Sequence, residues 1–199
     1  MPLPKHWASP EDFATLFQYF WHRDFPTDEK ASGAHRTDWT IHIGVIVRSI
    51  GDLMGLAARF ESGGRKDALL RSADGDEIAI EWEWEGVWGN ELKKLYNHKA
   101  RPLTKTQPAR ILKYAVLITY THTPNVEKVY QHVLENWKDA LYPLLLILID
   151  LEETKKYSFG KEFKTLQMSL FDNNKYFELR SAPAFPWNVE SSRWYFLRT

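Results

Sequence analysis

Asp67, Glu81 and Glu83 are the residues whose types and spacing best suit chemistry. They flank the turn signal Asp74-Gly75-Asp76, which joins two apolar stretches. Carboxylates gathered on one face repel each other, so such a cluster asks for a cation. Hard oxygen donors suit Mg²⁺ or Mn²⁺, ions that keep bound waters and take up phosphate oxygens. The ordinary alternative is the solvated face of an edge strand, where charge discourages sheet-to-sheet pairing. A bare Glu-x-Glu does not decide between the two.

The element that must position these acids is a β-hairpin. Asp67 to Ala73 is expected as one strand and Glu77 to Glu85 as its return, because Asp-Gly between apolar alternations signals a hairpin. On the return strand Ile78, Ile80, Trp82 and Trp84 share one face, and Ala79, Glu81, Glu83 and Glu85 the other. A three-residue turn, with Gly75 left-handed, sets Ala73 against Glu77 and Asp67 against Glu83, so all three acids share a face. A strict two-residue turn turns Asp67 to the opposite face. Convergence therefore requires the longer turn, or a register otherwise adjusted to the same effect.

Around the hairpin, Ser9-Pro10-Glu11-Asp12 starts a helix running to about His22, with Phe13, Leu16, Phe17 and Phe20 buried. Arg23 to Arg36 reads as a loop. A second helix is expected over 38–60, from the recurrence of Ile43, Ile46, Ile50, Leu53, Ala57 and Phe60, with Gly63-Gly64 ending it. Its glycines, Gly44, Gly51 and Gly55, suit close packing of a neighbour. Part of 87–99 reads as helix, 101–108 as loop and 111–121 as strand. A helix follows from Thr123, then a doubly covered strand at 144–149. A second hairpin turns at Asp172-Asn173-Asn174, and 194–197 reads as a closing strand. This order predicts an α/β chain with a mixed sheet flanked by helices.

The chain of 199 residues suits one domain. Lys+Arg and Asp+Glu are both 26, so no overall field attracts nucleic acid, although a local basic groove is compatible with that balance. Cysteine is absent, which excludes disulfides and thiolate zinc sites. The longest apolar run, 144–149, is too short to span a bilayer, and the N-terminus lacks a signal-peptide pattern. The expected localisation is cytoplasmic, with no membrane partner.

The stretch RKDALLRSADGDEIAIEWEWE resembles the hairpin of the PD-(D/E)xK nuclease superfamily: an Asp opening one strand, a turn, then an apolar strand ending Glu-x-Lys. Asp67 matches the Asp, Glu81 the first acid and Glu83 the Lys position. The resemblance covers 38–150 and implies a restriction-endonuclease-like sheet. Residues 1–37 would be an N-terminal helical addition and 151–199 a C-terminal β-hairpin addition. It further implies Mg²⁺- or Mn²⁺-dependent phosphodiester hydrolysis, with DNA favoured over RNA as substrate and a homodimer as the form that cuts two strands. Asp67 and Glu81 would ligate metal, and Glu83 would ligate metal or act as base. Two departures stand out: Lys66 occupies the position where Pro often precedes the Asp, and Glu83 replaces the Lys that positions or activates water in the family, although some restriction enzymes of the family carry Glu-x-Glu. The alternative is a catalytically inactive nucleic-acid- or protein-binding module on the same fold.

Accessory candidates have simpler accounts beside them. Asp52 could donate a further acid from the helix, or pair with Arg48 one turn away. Lys93 or Lys94 could supply the missing positive charge, or be solvated helix lysines. Gln107, with Lys113, precedes the third strand, where the family places polar residues near the backbone or water. The seven histidines show no metal spacing. Lys155, Lys156, Lys161 and Lys164 form a local basic stretch that reads as a solvated loop.

Overall fold

A computed structural model describes residues 8–27, 36–62, 66–84, 88–98, 111–153 and 161–189. Helix α1 (Pro10–Arg23) starts as its sequence predicts: the Asp12 backbone N–H donates to Ser9 Oγ at 3.1 Å, and Pro10 occupies the first turn. Its apolar face buries Phe13, Phe17, Phe20 and Trp21.

Helix α2 (Arg36–Leu53) stops well before Phe60. Gly55 takes φ 69° and the Leu56 N–H turns back to the Gly51 carbonyl at 2.8 Å, so the chain leaves the helix through a left-handed glycine. The residues expected as its last turn instead form edge strand β1 (Ala57–Ser62). The helical recurrence of Ala57 and Phe60 was misleading because a short apolar run carries both periodicities. Gly51 does serve close packing: a Cβ there would lie 3.0 Å from Leu70 Cδ2 and 3.1 Å from the Leu56 carbonyl oxygen.

The remaining elements are β2 (Lys66–Ser72), β3 (Gly75–Glu83), α3 (Trp88–Tyr96), β4 (Tyr114–His122), a 3₁₀ turn over Thr123–Asn125, α4 (Val126–Trp137), β5 (Leu144–Glu153), β6 (Lys161–Asp172) and β7 (Lys175–Pro183). A further 3₁₀ turn spans Pro186–Asn188. All seven strands join one mixed sheet in the order of the sequence. β1, β2 and β3 form an antiparallel meander; β4 and β5 run parallel to β3; β6 and β7 return antiparallel. The segment after 150 therefore extends the same sheet. Asn173 and Asn174, at φ 49° and 63°, make the two-residue turn between β6 and β7.

Helices cover both faces. α1 and α2 pack with Leu70, Ile78, Ile80, Val116, Ile118, Ile147 and Ile149. α3 and α4 pack with Leu69, Ala79, Leu117, Leu144, Leu146 and Leu148. Burial on both faces explains why 144–149 is apolar without alternation. No helix among the described residues is long and apolar enough to cross a membrane. Gln107, 194–197, Lys155 and Lys156 lie outside the described residues.

Candidate functional site

The β2–β3 turn is Ala73-Asp74, two residues, because Ser72 pairs with Gly75. That corrects the expected three-residue turn. Carried along the hairpin, a two-residue turn would face Asp67 away from Glu81. A β-bulge prevents this: Arg71 pairs with Asp76 but Leu70 pairs with Ile78, leaving Glu77 as the extra residue of β3. The bulge is held from both sides. Ser72 Oγ donates to Glu77 Oε1 at 2.5 Å, Lys113 Nζ lies 3.2 Å from Glu77 Oε2, and the Lys113 N–H donates to the Glu77 carbonyl at 2.9 Å.

Beyond the bulge Ala68 pairs with Ile80, so continuing the register by one residue sets Asp67 across from Glu81. The expected opposition of Asp67 and Glu83 is thus shifted by two residues along β3, an even number, so Asp67 and Glu81 still share a face. Asp67 and Glu81 both point to the side covered by α3, with side chains at cross-strand neighbour distance.

Glu81 is fully buried. Its Oε2 pairs with Lys94 Nζ of α3 at 3.2 Å, and the same ammonium lies 3.2 Å from Glu91 Oε1. Among the described residues no N–H or hydroxyl group donates to Glu81 Oε1. Burial, then the neighbouring Asp67 charge, pushes the Glu81 carboxyl from its ordinary 4.5 up to about 8, against the pull of Lys94 and Lys66. Half-buried Asp67 accepts the Trp82 backbone N–H at 2.7 Å. Burial raises its pKa too, opposed by that N–H, by the Glu81 carboxyl within hydrogen-bonding reach and by Lys94, while the Glu83 charge adds to the rise. Burial disfavours the Lys94 ammonium, but Glu81 and Glu91 outweigh it and its pKa is raised. The Lys66 ammonium is buried and its pKa lowered by that burial, with Glu81 acting the other way.

Glu83 lies at the rim. Its Oε1 accepts its neighbour Trp84's N–H at 2.7 Å, and on β4 it pairs with Thr119, whose buried hydroxyl has no partner among the described residues. The carboxyl ends of the parallel strands β3, β4 and β5 thus collect Glu81, Glu83, Thr119 and, two strands away, buried Asp150, which accepts Thr123 Oγ1 at 2.6 Å. Open α/β sheets bind ligands at this edge of their parallel strands.

The accessory residues divide. Lys94 enters the cluster, whereas Lys93, one residue earlier, is exposed on α3. Asp52 is exposed near the end of α2, on the other side of the sheet. Glu91 and Lys66 were not foreseen as members; the spacing Glu91-x-x-Lys94, one helical turn, carried a signal for the first. Among the described residues no three His, Asp or Glu side chains are arranged to hold a metal ion.

Two close carboxyls nevertheless fit Mg²⁺, which is commonly held by one or two carboxylates with water and substrate phosphate completing its shell. The donor-free, buried Glu81 Oε1 beside Asp67 is the observation that supports this fit. No protein-family model matches the chain, nor does any curated protein or solved structure.

Proposed function

We propose that the chain is a Mg²⁺- or Mn²⁺-dependent nuclease, acting on DNA in preference to RNA, on a restriction-endonuclease-like core. The observation that carries this reading is Glu81: a fully buried carboxyl at a strand end, beside a second acid and a lysine. An acid perturbed by burial and by a charged neighbour, at the sheet edge where open α/β sheets bind ligands, is a candidate for chemistry. Helix, hairpin, strand, helix and strand is the core order that the PD-(D/E)xK resemblance implies; the chain has these elements in that order, with β1 inserted before the hairpin and α3 after it, Asp67 near the start of β2 and Glu81 near the end of β3.

In this reading Asp67 and Glu81 hold the ion. A bound Mg²⁺ would lower the pKa of a coordinated water and offset charge on the phosphate. Lys94 brings a positive charge to Glu81 from α3, the role that Glu83 cannot fill from the Lys position. Glu83, at the rim, accepts a proton from water or adds an outer carboxylate.

The second reading is a non-catalytic binding module. The Lys94–Glu81 pair favours it, because it compensates a buried charge without metal. A cleavage panel of single-stranded, duplex and branched DNA and RNA with Mg²⁺ or Mn²⁺ separates the two. Metal-dependent cleavage lost in Glu81→Ala is expected; cleavage undiminished by that change, or none on any substrate, would overturn the nuclease reading.

A further inference from the structure

Glu91 is a second buried carboxylate at the acid cluster. It stands in the first turn of α3 and is 6 % exposed, while Leu92 and Leu95 of the same helix pack into the core. Its Oε1 lies 3.2 Å from Lys94 Nζ, the ammonium that also lies 3.2 Å from Glu81 Oε2. The Glu91 carboxyl is thus turned into the cluster. Its second oxygen, Oε2, is buried there without a hydrogen-bond partner among the described residues. A buried acceptor left in that state costs about 1–3 kcal/mol. The Lys94 charge reaches Asp67 as well. One ammonium therefore serves three carboxyl groups, from a point equidistant between two of them.

The Lys94 side chain is 39 % exposed, whereas those of Glu81 and Glu91 are 0 % and 7 % exposed. The acids are fixed in the interior, and the Tyr142 hydroxyl ties α3 down by donating to the Leu95 carbonyl at 2.6 Å. The lysine reaches in along its stem and can withdraw to solvent without unpacking the sheet. Its ammonium marks a cation position framed by carboxylate oxygens. A divalent ion suits that position better, because it carries twice the charge and takes about six oxygen ligands. The three acids form no ready-made cage. Oxygens 3.2 Å from the nitrogen must each close by about 1 Å to meet Mg²⁺ at about 2.1 Å. We propose that a divalent ion displaces the Lys94 ammonium from between Glu81 and Glu91, so that Glu91 joins Asp67 and Glu81 as a ligand. The inference rests on the reading that Asp67 and Glu81 hold metal, but it does not need the ion to cut nucleic acid. Lys94 is then the counter-ion that keeps the buried acids from repelling one another until the ion arrives. The freed ammonium, still anchored on α3, is at hand for a phosphate oxygen.

The test is a titration of the full chain, without nucleic acid, with Tb³⁺, a hard oxygen-seeking ion whose luminescence reports binding. Its lifetimes in H₂O and D₂O count the waters left on the bound ion. Saturable binding is expected, reversed by Mg²⁺ or Mn²⁺. Glu91→Ala should weaken it about tenfold or more and add about one bound water, which loss of a distant charge would not do. Lys94→Met keeps the stem and removes the competing ammonium. It should tighten binding about tenfold or more and leave the water count unchanged. Absence of saturable Tb³⁺ binding, a water count unmoved by Glu91→Ala, or no tightening by Lys94→Met would each overturn the proposal. Glu91-dependent Tb³⁺ binding without cleavage of any nucleic acid removes the nuclease and leaves the third ligand. Glu81-dependent cleavage, with Tb³⁺ hydration unmoved by Glu91→Ala, removes the third ligand alone.

Discussion

Replacing Glu81 by Gln should stabilise the fold in alkali and destroy metal binding. In the native chain the Glu81 carboxyl is held at about 8, from an ordinary value of 4.5, first by burial and then by the Asp67 charge. Between those values the folded protein keeps a proton that the unfolded chain has released, so stability falls as pH rises through this window. The acid's contribution is fully present below about 4.5 and lost above about 8. At 1.36 kcal/mol per pKa unit, the loss is about 3–5 kcal/mol. Gln cannot ionise, and its amide keeps nearly the shape of the protonated acid. Urea unfolding of both proteins at about pH 5 and about pH 9 should therefore show a small difference at the first and a variant more stable by about 3–5 kcal/mol at the second. Added Mg²⁺ at about a hundred times its Kd should raise wild-type stability at the higher pH by about 2.7 kcal/mol and leave the variant unmoved. A Gln variant less stable than wild type at the higher pH would refute the claim that burial strains the charged form. Equal stabilisation of both proteins by Mg²⁺ would place the ion elsewhere.

The neighbouring lysines provide a contrast between adjacent positions. Lys94→Ala should lower kcat by about 10²–10⁴ and shift the pH–rate profile to higher pH, since Glu81 loses the charge that opposes its rise, whereas Lys93→Ala should leave both unchanged; equal effects of the two variants in a cleavage assay would remove Lys94 from the site. Gly51→Ala should destabilise by about 1–3 kcal/mol in urea unfolding, because its Cβ would press on Leu70 and on the Leu56 carbonyl, and a stabilising effect would contradict the close approach of α2 to β2.

The residue pattern determined a good deal of this protein. Alternation along Ile78–Trp84 assigned the two faces of β3, because side chains of a strand alternate whatever it pairs with. The cap at Ser9, the apolar run at 144–149 and the Asn173-Asn174 turn likewise declared their elements through chemistry confined to a few neighbouring residues. Three things were decided only in the folded chain. Residues 57–62 became an edge strand because Gly55 could leave the helix and β2 offered a partner, and pairing is not written in one strand alone. Lys94 rather than Lys93 joined the site because of how α3 rotates against β3, which its packing fixes. The convergence of Asp67 with Glu81 came from the bulge at Glu77, held by Ser72 and by Lys113 from beyond α3. Sequence could name the acids, since that needs only their types and a period of two; whether they meet is a matter of register, and register belongs to contacts between strands.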